Sequence, residues 1–213
     1  MIEFFEEVTT MIDEGRAVDV VYLDFSKAFH KVPHDRLVQK LKSHGIRGEL
    51  ARWIQNWLGH RRQRVAVEGC IFEWRAVTSR GSVLGPLLFV IYINDLEENV
   101  TGLISKFADD TKVGGFADSD EDHQRIQQDI DRLEAWAERW QTEFNPDKCE
   151  VMHFGRSNTD GKYTVNGRTL KSIDRQRDLG VQGHRSLKVA MQLEKVVKKT
   201  YGMLAFIGWG IEF

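Results

Sequence analysis

The chain has 213 residues, of which 41% are hydrophobic and 29% charged, with only 3 Pro and 2 Cys. That length fits one large domain or two small ones, and the composition excludes disordered, collagen-like and disulfide-scaffold classes. The 30 Lys and Arg against 32 Asp and Glu leave a net charge of −2, so the whole chain carries no nucleic-acid footprint. Cys70 and Cys149 cannot form a disulfide framework or a four-Cys zinc site, which points to a reducing compartment. Met1 to Val8 is acidic where a signal peptide would be basic. The longest apolar run, Val83 to Ile93, is about half of the roughly 20 residues a membrane span needs. The expectation is an intracellular chain of cytoplasm or nucleus, neither secreted nor membrane-spanning, with its oligomeric state open.

Charge is spread unevenly. From Arg36 to Arg80 the chain carries ten basic residues against Glu49, Glu68 and Glu73, whereas acids dominate from Asp118 to Asp131. This fits either a basic face that attracts polyanions or two solvated helix faces.

In chain order, Ile2 to Glu14 has amphipathic helical spacing and stops at Gly15, a residue suited to a left-handed C-terminal position. Ala17 to Leu23 is a β-branched run of strand length ending at Asp24. His34 to His44 and Glu49 to Leu58 read as helices closing near Gly45 and Gly59. Arg62 to Val67 and Ile71 to Val77 alternate around Glu68-Gly69, a hairpin signal. Gly85 to Leu96 reads as a buried helix. Leu103 to Phe107 and Lys112 to Phe116 flank Asp109-Asp110 as a second hairpin. Asp120 to Phe144 is a long amphipathic helix with Ile126, Ile130, Leu133, Trp136 and Trp140 at helical spacing. Strands are expected at 150–154, 163–165 and 179–182, then a last helix from Leu187 to about Ile207. Strands and helices in this order predict an α+β domain with helices on one sheet.

Three carboxylates carry the strongest chemical signal. Asp24 stands where an apolar strand ends, and Asp109 and Asp110 sit between two short strands. Adjacent acids on a tight turn repel each other, and a divalent cation between them relieves that cost. Mg²⁺ is held by one or two carboxylates, waters and substrate phosphates, and two such ions clamp attacking and leaving oxygens in phosphoryl transfer. Asp is also a common turn residue, so spacing alone leaves an ordinary turn open.

Other features read more plainly. Trp53 and Trp57, like Trp136 and Trp140, are spaced i, i+4 as core-packing pairs. Arg61, Arg62 and Arg64 fit either a grip on a phosphate backbone or a solvated hairpin edge. Pro33 lies between His30 and His34 and argues against a helical zinc pair. Cys149 reads as a structural thiol, since no base partner is indicated. A phosphohydrolase with Asp24 as nucleophile needs a second acid at position 26, which is Ser.

The wording of the sequence then adds a family. Asp19-Val-Val-Tyr-Leu-Asp-Phe-Ser-Lys-Ala-Phe29, with Lys31-Val-Pro-His-Asp-Arg-Leu37, resembles the first catalytic motif of reverse transcriptases. It is most similar to those of non-long-terminal-repeat retrotransposons of the jockey and chicken-repeat type. Gly81-Ser-Val-Leu-Gly-Pro-Leu-Leu-Phe89 with Tyr92-Ile-Asn-Asp-Leu96 resembles the template- and nucleotide-contacting motif. Lys106-Phe-Ala-Asp-Asp-Thr111 resembles the second catalytic motif. Trp140 to Cys149 and Arg177 to Val181 resemble the next two. These ordered motifs cover about 19 to 207.

The resemblance implies a right-hand polymerase palm, an antiparallel sheet with helices on one face, with partial fingers and the thumb largely absent. It implies a single 1–213 domain, with 1–16 a leading helix and 183–213 a C-terminal helix toward that thumb. Asp24, Asp109 and Asp110, with the backbone carbonyl of Phe25, would hold two Mg²⁺ ions, for which Mn²⁺ could substitute. Phe29 matches the steric gate against the 2′-hydroxyl, and Gly81 and Ser82 fall in the nucleotide-contacting motif. Lys148 matches the basic residue that protonates the leaving pyrophosphate. Implied partners are an RNA template, a DNA primer and deoxynucleoside triphosphates.

The sequence departs from the family pattern at two places. His30 stands where relatives have Asp. The segment Val77-Thr-Ser-Arg-Gly-Ser82 is three residues shorter than theirs and lacks their Gln, with Arg80 at the junction. Two readings follow: an RNA-directed DNA polymerase domain, or a non-catalytic nucleic-acid-binding remnant of one.

Overall fold

The computed structural model describes residues 2–26, 28, 32–59, 62–63, 66–67, 70–71, 75–76, 84–178 and 181–187. Its elements are α1 (Ile2–Asp13), β1 (Val18–Asp24), α2 (His34–Ser43), α3 (Gly48–Gly59), β2 (Arg62–Gln63), β3 (Ala66–Val67), β4 (Cys70–Ile71) and β5 (Arg75–Ala76). There follow α4 (Leu84–Tyr92), β6 (Leu103–Phe107), β7 (Asp110–Phe116), α5 (Asp120–Arg139), β8 (Glu150–Phe154), β9 (Thr164–Val165) and β10 (Arg168–Thr169). The last are β11 (Lys171–Ser172), β12 (Arg175–Asp178) and β13 (Val181–His184).

The five-stranded sheet has the order β11-β8-β1-β7-β6. Its pairs are antiparallel except for the two-residue pairing of β11 with β8. Strand β1 is central and covered on both faces, which explains why its sequence is a continuous apolar run rather than an alternation. Val21 and Leu23 pack with Val113, Val151 and the buried stripe of α5, whereas Val18, Val20 and Tyr22 pack with Met152, Phe154 and with Phe4 and Val8 of α1. The helical residues of the larger cluster come from α2, α3, α4 and α5, and α1 covers the other face.

Helix ends follow local rules. Gly15 (φ 83°) and Gly45 (φ 83°) take left-handed backbone after α1 and α2. In each case the two following amide donors close the last turn: Gly15 N to Ile12 O and Arg16 N to Met11 O, then Gly45 N to Lys42 O and Ile46 N to Leu41 O. Ser119 caps α5, its hydroxyl accepting from Asp122 N, with Asp120, Glu121 and Asp122 in the positive first turn.

Helix α5 ends at Arg139 rather than near Phe144 as the spacing suggests. Gln141 adopts φ 56°, and Thr142 N bonds back to Ala137 O. The freed segment runs beside the end of β1, where Phe144 bridges Phe25. Helix α4 likewise stops at Tyr92 and gives way to turns. The strand expected over 179–182 is instead two strands, β12 and β13, whose register Asp178↔Val181 spans a two-residue connection. The hairpin over 62–77 is present as the nested pairs β3–β4 and β2–β5.

Trp136 is buried, as expected, but Trp53 is 55% exposed. The buried stripe of α3 is Ala51, Ile54 and Leu58, and Trp53 lies off that stripe. Cys149 is buried, in keeping with a structural thiol. The helix expected over 187–207 falls outside the described residues from 188 onward, and 183–184 belong to β13.

Candidate active site

Register brings the acids together. In the β1–β7 ladder Asp24 lies directly opposite Asp110. The β6–β7 ladder closes with Phe107↔Asp110, which leaves Ala108 and Asp109 as the hairpin tip. Ala108 carries the tight turn with φ 54°. Residues two apart share a sheet face, so Asp24 and Tyr22 of β1 face the same way as Asp110 and Lys112 of β7. Burial and the charges of Asp109, Asp178 and Asp24 hold the Asp110 carboxyl above the usual carboxylate range, with Lys112 opposing them.

Lys148 reaches this group from the other side of β1. Its Nζ lies 3.1 and 3.4 Å from the two carboxylate oxygens of Asp24. The turn that carries it is anchored to β1 itself: Asn145 N donates to the Asp24 carbonyl at 2.8 Å, and Lys148 N donates back to Asn145 O at 3.0 Å. The Asn145 side chain accepts from Asp147 N at 3.2 Å, an Asx turn that tightens the loop.

The Phe25 side chain is core, 2% exposed, stacked on Phe144 at 4.4 Å and edge-on to Phe89 at 5.9 Å. Only its backbone is available to a ligand. Its packing braces the end of β1, with Ser26 N donating to Glu143 O at 2.8 Å.

Two further residues belong to the site: Lys112, and Asp178, to which the sequence assigns no role beyond its place in the Arg177–Val181 motif. Lys112 and Asp178 form a buried ion pair beside Asp110, their side chains 4% and 7% exposed. With Tyr22, Asp24, Asp110 and Lys148 they line a cavity of about 70 Å³. The signal for Lys112 was available: it lies two residues after Asp110 in a strand, hence on the same face. Asp178 is brought there by tertiary structure alone.

The structure thus brings Asp24, Asp109, Asp110 and Lys148 to one end of the sheet. Arg62 begins β2, paired with Ala76. Phe29, Arg61, Arg64, Gly81 and Ser82 lie outside the described residues. Among the described residues no three His, Cys, Asp or Glu side chains converge tightly enough to hold a metal ion as placed. The donor chemistry still fits a hard divalent cation, because Asp110 faces three other carboxylates whose mutual repulsion such an ion relieves. No helix among the described residues is long and apolar enough to cross a membrane.

Comparison with known proteins gives the family and the fold. Residues 5–199 match the family described as reverse transcriptase (RNA-dependent DNA polymerase). The chain is 27% identical over 203 residues to the RNA-directed DNA polymerase from mobile element jockey of Drosophila melanogaster, covering 88% of this chain and 22% of that protein. It is 30% identical over 182 residues to the jockey protein of Drosophila funebris, covering 78% and 19%. The chain therefore spans about a fifth of the length of these relatives. Among solved structures it is similar to apo telomerase from Candida tropicalis truncated from its C-terminal domain, with TM-score 0.52 and 12% identity. That likeness covers 79% of this chain and 37% of the telomerase chain. It shows the fold, the α+β arrangement of a polymerase palm.

Proposed function

Because this chain belongs to the reverse transcriptase family, we propose that it is the palm of an RNA-directed DNA polymerase that extends a DNA primer on an RNA template from deoxynucleoside triphosphates. The observation that carries this reading is the register Asp24↔Asp110 with Asp109 at the adjoining hairpin tip and Lys148 on Asp24. Four charged groups from three separate segments meet at one sheet end, and no packing requirement explains like charges there.

In the proposed reaction the primer 3′-hydroxyl attacks the α-phosphate, a new phosphodiester forms, and the bond to pyrophosphate breaks. Asp24, Asp109, Asp110 and the Phe25 backbone carbonyl would hold two Mg²⁺, or Mn²⁺ in their place, and these supply charge neutralisation and an activated hydroxyl when bound. Lys148 would leave Asp24 and give a proton to the departing pyrophosphate. Its hydrogen bonds to both oxygens of Asp24 orient the ammonium. Phe29, Gly81 and Ser82 would contact the nucleotide, and Arg61, Arg62 and Arg64 the template–primer backbone. The compartment in which this happens would be the cytoplasm or nucleus.

The test is primer extension on poly(rA)/oligo(dT) with Mg²⁺, beside an Asp109→Ala, Asp110→Ala double variant. Extension by the wild type and none by the variant is the expected result. A folded wild-type chain that extends nothing overturns the catalytic reading, and a salt titration of template binding on the same sample then decides whether the chain is a binding remnant.

A further inference from the structure

We propose that the buried ion pair between Lys112 of β7 and Asp178 of β12 is a positioning lock for nucleotidyl transfer. It seats the β12–β13 hairpin against the catalytic end of the sheet and holds a cation beside Asp24 and Asp110. The catalytic half of this inference rests on the polymerase reading above.

Three observations carry it. Among the described residues β12 and β13 pair only with each other, so no ladder ties the hairpin to the five-stranded sheet. Its buried attachment beside the acids is Asp178, the last residue of β12, which donor Lys112 meets. Lys112 in turn is fixed from two sides: it lies opposite Tyr22 in the ladder, and its ammonium sits 5.4 Å from the centre of the Phe5 ring on α1. An ammonium buried at 4% exposure among Tyr22 and Phe5 is costly without a carboxylate partner, so Lys112 favours the docked place of Asp178, at the far end of a strand whose entry is held by Ile173 N donating to Val151 O.

The consequence lies in the cavity. Asp178 and Lys112 line it together with Asp24, Asp110 and Lys148, and Gln176 and Arg177 of the hairpin line it too. Moving the hairpin moves the part of the lining that Gln176, Arg177 and Asp178 supply beside Asp24 and Asp110. Replacing a buried ion pair by apolar residues of similar volume is often neutral for folding. A lock that acts through charge is therefore separable from one that merely fills space.

The experiment uses four variants of the whole chain: Lys112→Met, Asp178→Leu, the Lys112→Met/Asp178→Leu double, and Lys112→Arg. Each is measured for kcat and KM in primer extension, for thermal unfolding, and for amide exchange. The expected result is that the apolar double folds as the wild type does yet loses kcat on the order of 10²-fold, the cost of a ~1 Å misplacement. Its KM for the nucleotide stays nearly constant. Lys112→Arg retains most of kcat. In the single Lys112→Met variant, exchange at residues 175–178 and 181–184 accelerates while β1 and β8 stay protected.

A folded double variant with wild-type kcat overturns the lock, as does uniform or unchanged exchange across hairpin and sheet in Lys112→Met. If the wild type extends no primer, the polymerase reading fails and the catalytic half of the inference with it. The exchange arm still decides whether Lys112 seats the hairpin.

Discussion

Lys148 holds both carboxylate oxygens of Asp24, at 3.1 and 3.4 Å, from a turn that hangs on the Asp24 carbonyl. The same residue of β1 thus receives a main-chain hydrogen bond from the loop and an ion pair from its tip, so both are fixed to one residue. The pair is half open to water, with side-chain exposures of 61% and 29%. Exposed pairs contribute about 0–1 kcal/mol. Its presence therefore makes sense as chemistry more than as stability.

The first prediction follows. Lys148→Ala lowers the single-turnover extension rate by about 10²- to 10⁴-fold, the usual weight of a positioned proton donor, while the urea midpoint barely moves. A rate within about threefold of wild type, set against that range, removes Lys148 from the reaction.

How far the site could be read from the sequence depends on how locally each residue is placed. Asp24, Asp109 and Asp110 are legible because a strand end and a two-residue turn are local events. Lys148 becomes legible only through the family wording, since its loop is oriented by Asn145 bonding to a strand over a hundred residues earlier. The place of Lys112 is legible from Asp110, but its pairing with Asp178 is not, because a hairpin with no ladder to the sheet has no sequence pattern that says where it docks. The fold shows the same division. Helices α1, α2 and α3 and the central strand are where spacing puts them, but the end of α5 depends on a left-handed Gln141, which no propensity marks. The β9–β10 hairpin was missed although Asn166-Gly167, at φ 49° and 71°, is the dipeptide that such a two-residue turn demands.

Like-charge crowding gives a second prediction. Asp110 is surrounded by Asp109, Asp178 and Asp24, so removing its charge relieves repulsion as it removes function. Asp110→Asn reduces primer extension to the no-enzyme background and leaves the protein as stable or more stable, by a few tenths of a kcal/mol at low salt after allowance for solvent screening. The gain shrinks as salt screens the cluster. Thermal melts at low and high salt read both effects, and a clear loss of stability on neutralising Asp110 contradicts the crowding.

A third prediction concerns the support of α4. Lys40 of α2, 2% exposed, donates to Asp95, which also accepts from Trp136 Nε1 at 3.0 Å. The Lys40 ammonium further sits 3.8 Å from the centre of the Trp140 ring. Asp95 lies just past α4, so this network ties α2, α4 and α5 together. Asp95→Ala leaves the Lys40 charge buried without its partner and costs about 3 kcal/mol in urea unfolding. Adding Lys40→Met to Asp95→Ala recovers part of that loss, because the stranded charge goes too. If the two losses simply add, the network is not coupled.

The last prediction is a pH dependence. Burial pushes the Cys149 thiol up to about 11 from an ordinary value of 9.0, and the residue is 2% exposed just before β8. In the unfolded chain the thiol ionises as pH passes about 9, whereas in the folded protein it stays neutral until about 11. The folded state therefore binds the proton more tightly across that window, and stability falls as pH climbs through it. The loss reaches on the order of 2 kcal/mol near the upper end, at about 1.4 kcal/mol per unit. Below the unfolded value the thiol is neutral in both states and contributes no slope. Tyr22, Tyr92 and Tyr163 are also shifted upward by burial and act in the same direction at still higher pH. The measurement is consequently a difference: urea midpoints of wild type and Cys149→Ala at pH 7, 9 and 10. The variant carries a constant offset from its lost sulfur contacts and a shallower decline between the two upper points. Parallel declines would show that the Cys149 thiol titrates alike in both states.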